Sequence, residues 1–333
     1  MSKNKKLIAK NTIKMLSDGK VKIKKGKKVD LTPFMEKTLS KTSMGYIDGS
    51  GRRGRRPKDL ELGVNNLLLP APEALRILAS TSTDADYTIV DIVRLKDANT
   101  FDLTEDSIKG EILRGSTLGG CYKAVKKHWL ELNVPKVTDK TAYLYFPELV
   151  SFMNSDTGDV LKMPFKFNYL MISVPSISRF GYDSMDIYLN NVVADIMDAV
   201  IEVGSKNIIL DPFSIKAFRE HDEEISTLFN TIVSSDKVKN YLDTVTFAIP
   251  NDNEFITFIT SQKNILTSKD DAKYDRIKVV RENNTNVHIY DITPDEDDED
   301  DIKVIPTNVK KDGTLDIDAI VDSSDDDEDE DDD

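Results

Sequence analysis

The chain has 333 residues, more than one average domain, and its 39 % apolar content supports a substantial core. Charge is unevenly spread: residues 1–58 carry a net +14, residues 59–290 a net −10 and residues 291–333 a net −18, a mildly acidic body between a basic arm and an acidic tail. The single cysteine, Cys121, excludes an intrachain disulfide and a multi-cysteine metal site, and the scattered His128, His221 and His288 argue against a histidine zinc site. No window has the apolar length of a membrane span, and the opening MSKNKKLIAKN lacks the apolar centre of a signal peptide. An intracellular, reducing setting with no membrane partner is therefore expected.

In chain order, KKLIAKNTIKMLSDG reads as a helix with Leu7, Ile8, Ile13, Met15 and Leu16 roughly on one face and Gly19 as its stop. VKIKKGKKV (21–29) suits a small hairpin or an extended arm around Gly26. LTPFMEKTLSKT (31–42) reads as a second short helix, and GSGRRGRRPKD (49–59) as an exposed loop. YTIVDIV (87–93) has strand character, and ILRGSTLGGCYKAVKKHWLEL (112–132) reads as one helix with an awkward glycine-rich middle. AYLYF and LVSFM, within 142–153, are strands followed by the turn DTGD (156–159), and YLMISVP (169–175) is a buried strand.

YLNNVVADIMDAVIEVG (188–204) follows as an amphipathic helix, with Val192, Ile196, Ala199 and Val203 on one face. IILD is the next strand, HDEEISTLFNTIV the next helix, VTFAIP (245–250) a further strand and NEFITFITSQ a last helix. Residues 276–292 have a hairpin pattern around Asn283 and Asn284. Strands alternating with helices imply an α/β sheet with helices on both faces. DEDDEDD (295–301) and DDDEDEDDD (325–333) cannot bury apolar surface and are expected to be disordered, while IKVIPTNV and LDIDAIV keep enough apolar residues to dock on a partner. The expected division is a basic extension over 1–58 that packs partly on the core, a core over 59–262, a hairpin extension over 263–292 and an acidic tail over 293–333. There is no internal repeat.

Several stretches occur in a familiar order: LIAKNTIKMLSDGKV with GKKVDL, YTIVDIVRLKDANTFDL, RGSTL (114–118), YFPELVSFMNSDTGDVLKMPFKFNYLMISVPS, VADIMDAVIEVGSKNIILDPFSIKAFRE and VTFAIP. Together they resemble the microbial type of poly(ADP-ribose) glycohydrolase, a branch of the macrodomains, over roughly residues 5–250. The resemblance implies a three-layer α/β/α macrodomain-like mixed sheet, with a helical N-terminal extension and a disordered acidic C-terminal tail.

That family holds the ADP-ribose diphosphate in a glycine-rich loop after a strand, where backbone N–H groups converge on the anion. In the corresponding NIILDPFSIKAFRE (207–220), Asp211 and Pro212 stand for "GA", and Ser214, Ile215 and Lys216 for "GCG". Pro212 has no N–H to offer, Asp211 adds a negative charge near the phosphates, and Lys216 restores one positive charge. The candidate ligand-binding residues of this degenerate loop are Asp211, Phe213, Ser214, Lys216 and Phe218. The family's adjacent catalytic glutamates, counted back from Ser116-Thr117-Leu118, fall on Lys109 and Gly110, which leaves Glu111 as the sole weak catalytic candidate. No cofactor and no metal are implied.

Three functions follow as expectations. The foremost is a catalytically inactive macrodomain-like binding or structural module, in a lysine-, asparagine- and aspartate-rich chain that suits a virus or phage. The alternative is an ADP-ribose-binding protein, or an ADP-ribosyl or poly(ADP-ribose) hydrolase, with a site rebuilt around Glu111, Asp211 and Lys216. The third is a nucleic-acid-associated protein, with Arg52, Arg53, Arg55, Arg56 and the lysines of 3–28 neutralising phosphates. The same arm suits the acidic tail as an intramolecular partner, and the tail itself suits basic proteins.

Overall fold

The computed structural model describes residues 3–22, 28–47, 62–81, 86–132, 140–175, 185–267, 277–283, 286–292 and 303–308. The N-terminal part comprises α1 (Lys3–Asp18), the antiparallel pair β1 (Lys20–Lys22) and β2 (Lys28–Asp30), α2 (Thr32–Lys41) and β3 (Ser43–Tyr46). Helix α1 ends at Gly19, whose φ of +65° suits a residue without a Cβ. Its buried side is Ile8, Ala9 and Thr12, whereas Leu7 and Ile13 are 57 % and 55 % exposed. The apolar pattern therefore misplaces the inner face, because a polar contact helps to set it: Thr12 Oγ1 donates to the Arg114 carbonyl at 2.8 Å.

The rest of the chain supplies β4 (Gly63–Leu68), α3 (Ala71–Thr81), β5 (Tyr87–Arg94), α4 (Leu95–Ala98), α5 (Ile108–Gly115), α6 (Leu118–Leu132), β6 (Ala142–Met153) and β7 (Val160–Val174). After these come α7 (Met185–Glu202), β8 (Asn207–Leu210), α8 (Lys216–Arg219), α9 (Asp222–Val233), α10 (Asp236–Lys239), β9 (Thr244–Ala248) and α11 (Asp252–Thr267). Three further strands are β10 (Ile277–Asn283), β11 (Asn286–Ile292) and β12 (Lys303–Asn308). Ten strands form one mixed sheet in the order β12-β11-β10-β4-β9-β8-β5-β7-β6-β3. Strands β10, β4, β9, β8, β5 and β7 are mutually parallel, and the remaining pairings are antiparallel. Strand β12 lies outermost, where Pro306, lacking an N–H, costs the ladder least.

Alternate residues of the central strands face opposite layers. Val90, Ile92, Leu170, Ile172, Ile208, Leu210 and Phe247 pack with α7, α9 and α11. Ile89, Tyr169, Met171, Ile209 and Ala248 pack instead with α3, α5 and α6, including Trp129. This is the expected mixed sheet between two helical layers.

Other elements depart from the sequence pattern. The stretch 112–132 is two helices, broken where Ser116 bridges to Ser151 and the Thr117 N–H donates to the Val150 carbonyl at 3.0 Å. Its glycines bring helices together: a Cβ on Gly120 would lie 2.5 Å from Met35 Sδ. AYLYF and LVSFM are one strand whose register shifts between Phe146 and Leu149, with Glu148 left-handed at φ 53°. Strand β4 and helix α3 lie in a stretch, LELGVNNLLLPAPEALRILAS, where the sequence pattern shows neither clean period and two prolines interrupt the apolar run. Most of the tail, together with Arg52, Arg53, Arg55 and Arg56, falls outside the described residues; within the tail, Lys303–Asn308 is the strand β12.

Candidate functional site

Parallel strands deliver their carboxyl ends to one edge of the sheet, where open α/β folds place ligands. A cleft of about 540 Å³ lies there, lined by the carboxyl half of β5, by residues that follow β4, β5, β8 and β9, and by the start of α5. That volume suits a small molecule.

Two carboxylates form its floor. Asp91 interrupts the apolar run of β5 and is only 4 % exposed. Asp211 is the first residue beyond β8, just past the last β5–β8 pair, Val90 with Leu210, and close enough to Asp91 to feel its charge. Tyr169 Oη donates to Asp91 Oδ2 at 2.5 Å. Burial pushes the Asp91 carboxyl up to about 6, with the Tyr169 hydroxyl and Lys109 opposing and Glu105 adding. Asp211 keeps some surface open, yet the protein around its carboxyl is dense, and this desolvation pushes it up to about 7. The Phe213 N–H and Arg219 oppose that rise, while Glu254 and Asp91 add to it.

Helix α5 is capped by Ser107, whose side chain accepts the Gly110 N–H at 3.1 Å. Lys109 is 1 % exposed; its ammonium donates to the Asp97 carbonyl at 2.6 Å and lies 3.9 Å from Glu105 Oε2. At Gly110 no side chain fits, because a Cβ would meet the Glu105 carbonyl oxygen at 2.2 Å. The two positions that the resemblance assigns to catalytic glutamates are thus a buried cation and a glycine under a closely laid backbone. Arg114 holds that backbone down: fully buried, it donates to the carbonyls of Leu103 and Glu105, each at 2.8 Å, and of Ser155 at 3.2 Å.

The structure separates the expected site residues. Glu111, Asp211, Ser214 and Lys216 line the cleft. Phe213 and Phe218 are 1 % and 0 % exposed and belong to the core on the α7 side of the sheet. Lys216 is exposed and pairs with Glu220 at 3.1 Å. Burial and Asp156 raise the Glu111 carboxyl, with Arg114 opposing. Ser214 Oγ is buried without a hydrogen-bond partner in a residue that lines the cleft. Sequence reasoning missed Asp91, Glu105 and the role of Arg114. Asp91 carried a legible signal, a lone acid inside a strand otherwise apolar.

Other chemistry is limited. Among the described residues no cluster of three or more His, Cys, Asp or Glu side chains could hold a metal ion, and no helix is long and apolar enough to cross a membrane. Cys121 is buried, and its thiol is pushed up to about 12.

No protein-family model and no curated protein sequence matches the chain. Solved structures do share its fold. Poly(ADP-ribose) glycohydrolase from Thermomonospora curvata matches with a TM-score of 0.63 at 16 % identity, over 77 % of this chain and 98 % of that one. The same enzyme bound to the inhibitor ADP-HPD matches at 0.61 and 15 %, over the same shares of the two chains. The enzyme from Deinococcus radiodurans in complex with ADP-ribose matches at 0.56 and 14 %, over 71 % of this chain and 98 % of that one. The chain therefore has the macrodomain-like fold of microbial poly(ADP-ribose) glycohydrolases.

Proposed function

We propose that the protein recognises an ADP-ribosyl group in the cleft at the carboxyl ends of β4, β9, β8 and β5. The observation that carries this reading is the cleft itself: a cavity of about 540 Å³ at the ligand edge of a fold whose solved neighbours include complexes with ADP-ribose and ADP-HPD. The unpartnered Ser214 hydroxyl gives a ligand one buried polar group to satisfy. Calorimetry with ADP-ribose tests the reading, and binding at about micromolar Kd is expected. No detectable heat at any pH near neutrality would leave the inactive, non-nucleotide scaffold as the better description.

A second reading, hydrolysis through a rebuilt site, is favoured by one observation. Departure of a ribosyl group needs a carboxyl that holds a proton near neutral pH. The α5 positions expected for that acid are Lys109 and Gly110, but Asp91 and Asp211 are pushed up to about 6 and about 7 on the cleft floor. Release of free ADP-ribose from an ADP-ribosylated protein, lost in D91N or D211N, would establish it. Turnover that survives both substitutions and disappears in E111A would move the acid to Glu111. The absence of turnover beside measurable binding would leave a reader of ADP-ribose.

A further inference from the structure

The loop after β8 already holds an anion of its own. Asp211 Oδ1 accepts the Phe213 N–H at 2.8 Å, and the Ser214 N–H turns back to the Asp211 carbonyl at 3.4 Å. Pro212 between them has no N–H. Backbone N–H groups of a strand–loop junction at the ligand edge are the donors an approaching phosphate would use. Here one is absent by composition, one is taken by a carboxylate and one is drawn into the turn.

We propose that Asp211 is the cleft's resident anion and its specificity-determining residue: its carboxylate occupies the loop donor that a ligand phosphate would take, so a phosphate-bearing ligand binds fully only when that carboxylate is discharged or displaced. This rests on the reading that the cleft takes an ADP-ribosyl group, and it concerns the phosphate end of that group. The charges around Asp211 favour such a gate. Asp91 from β5 and Glu254 from α11 face it with the same sign. Arg219 from α8 opposes them; of the other cations lining the cleft, Arg94 pairs with the Asp97 carboxylate and Lys216 with Glu220, and the Lys109 ammonium donates to the Asp97 carbonyl and lies 3.9 Å from Glu105 Oε2. An added phosphate therefore meets negative charge first, and desolvation in the cleft strengthens that repulsion.

The direction with pH follows from the raised carboxyl. Above about pH 7 Asp211 is ionised and repels the phosphate; as pH falls through that value it becomes neutral. Affinity for ADP-ribose therefore rises as pH falls, whereas adenosine, which has no phosphate, is indifferent.

Calorimetry on the full chain and its D211N and D211A variants, with ADP-ribose and with adenosine as probes, tests the gate at about pH 6 and about pH 8. D211N keeps the acceptor and removes the charge; D211A removes both and frees the Phe213 N–H. At the higher pH, D211N is expected to bind ADP-ribose roughly tenfold tighter than wild type and D211A at least as tightly, with the gain shrinking at the lower pH. Thermal unfolding of each variant confirms that it is folded. Wild-type binding that is flat with pH and unchanged in D211N would overturn the resident anion while leaving ADP-ribosyl recognition intact. An equal gain for adenosine would overturn it too, since only a change in the shape of the cleft acts on both probes. A silent wild type beside a binding D211N would support the gate and count against ADP-ribose as the native ligand. Silence from every variant at both pH values would overturn both readings.

Discussion

Glu148 and Asp211 are both carboxylates at breaks in strand pairing, and the protein drives them in opposite directions. Glu148 sits in the β6 bulge with its ammonium partners from α2 and β7: Lys37 at 2.6 Å, Lys41 and Lys166 at 3.7 Å. Hydrogen bonds from Lys37 and Lys41 hold its carboxyl down at about 2, burial opposing them only in part. Its backbone is tied as well, the N–H to Asn168 Oδ1 at 2.8 Å and the carbonyl to Thr38 Oγ1 at 3.1 Å. Asp211 has one N–H partner, a single opposing cation and two like charges, and burial pushes it up to about 7. The difference separates a fastening from a site. A carboxylate surrounded by cations secures the N-terminal extension to the sheet; a desolvated one beside another acid is left responsive to ligands and protons.

Substitutions can break or sharpen this contrast. The largest effect is expected at Arg114, which holds the loop that borders the cleft. R114A leaves the carbonyls of Leu103, Glu105 and Ser155 without their donor, and a cost of about 3 kcal/mol or more, seen as a fall of roughly 6–12 °C in Tm, should follow. A change within about 1 °C would show that the loop is held by other contacts.

Neutralising the resident anion comes next. A raised carboxyl stabilises the fold fully below its unfolded pKa, and that contribution disappears as pH rises through about 7. D211N should therefore raise Tm by at least about 2–4 °C near pH 8, roughly 1 kcal/mol or more, and leave it unchanged only near about pH 3, below the ordinary carboxylate range. An equal rise at both pH values would point to packing rather than charge.

K109M tests the neighbouring acid. Lys109 is the cation that lowers the Asp91 carboxyl, so its removal should move the Asp91 titration, followed by carboxyl carbon NMR, upward from about 6. A downward shift would show that Lys109 is not the controlling charge.

The smallest effect belongs to the fastening itself. E148Q removes partly exposed ion pairs and should cost below about 1 kcal/mol near neutral pH. A depressed carboxyl stabilises above its unfolded pKa and loses that contribution as pH falls through about 2, so wild type and variant should converge in acid denaturation there. Curves that stay parallel would assign the effect to the backbone at Glu148.

Much of the fold was legible because period and punctuation agree along it. The continuous apolar run 169–175, the helical spacing of Val192, Ile196 and Ala199, and the strand at 207–210 all appear where their patterns place them. The elements that escaped are those whose pattern is ambiguous alone: β4 and α3 mix apolar residues with prolines, and Ser116 breaks a helical run only because a neighbouring strand takes its place in the pairing. At the site, Asp211, Ser214, Lys216 and Glu111 were readable as loop and helix residues near a strand end. Phe213 and Phe218 were not separable from them, since which side of a strand–loop junction faces the core depends on the helix packed against it.

Sequence alone determined the alternation of strands and helices, the uneven charge, and a loop after the 207–210 strand that holds Asp211 and Pro212, because composition and local periodicity are properties of neighbours along the chain. Tertiary structure decided the surroundings of that loop. It brought Asp91 of β5 and Glu254 of α11 close enough to act on Asp211, tied Arg114 of α5 to the Ser155 carbonyl, and desolvated the Asp211 carboxyl in the cleft. Those outcomes depend on desolvation and on contacts between segments far apart in the chain, which no local pattern encodes.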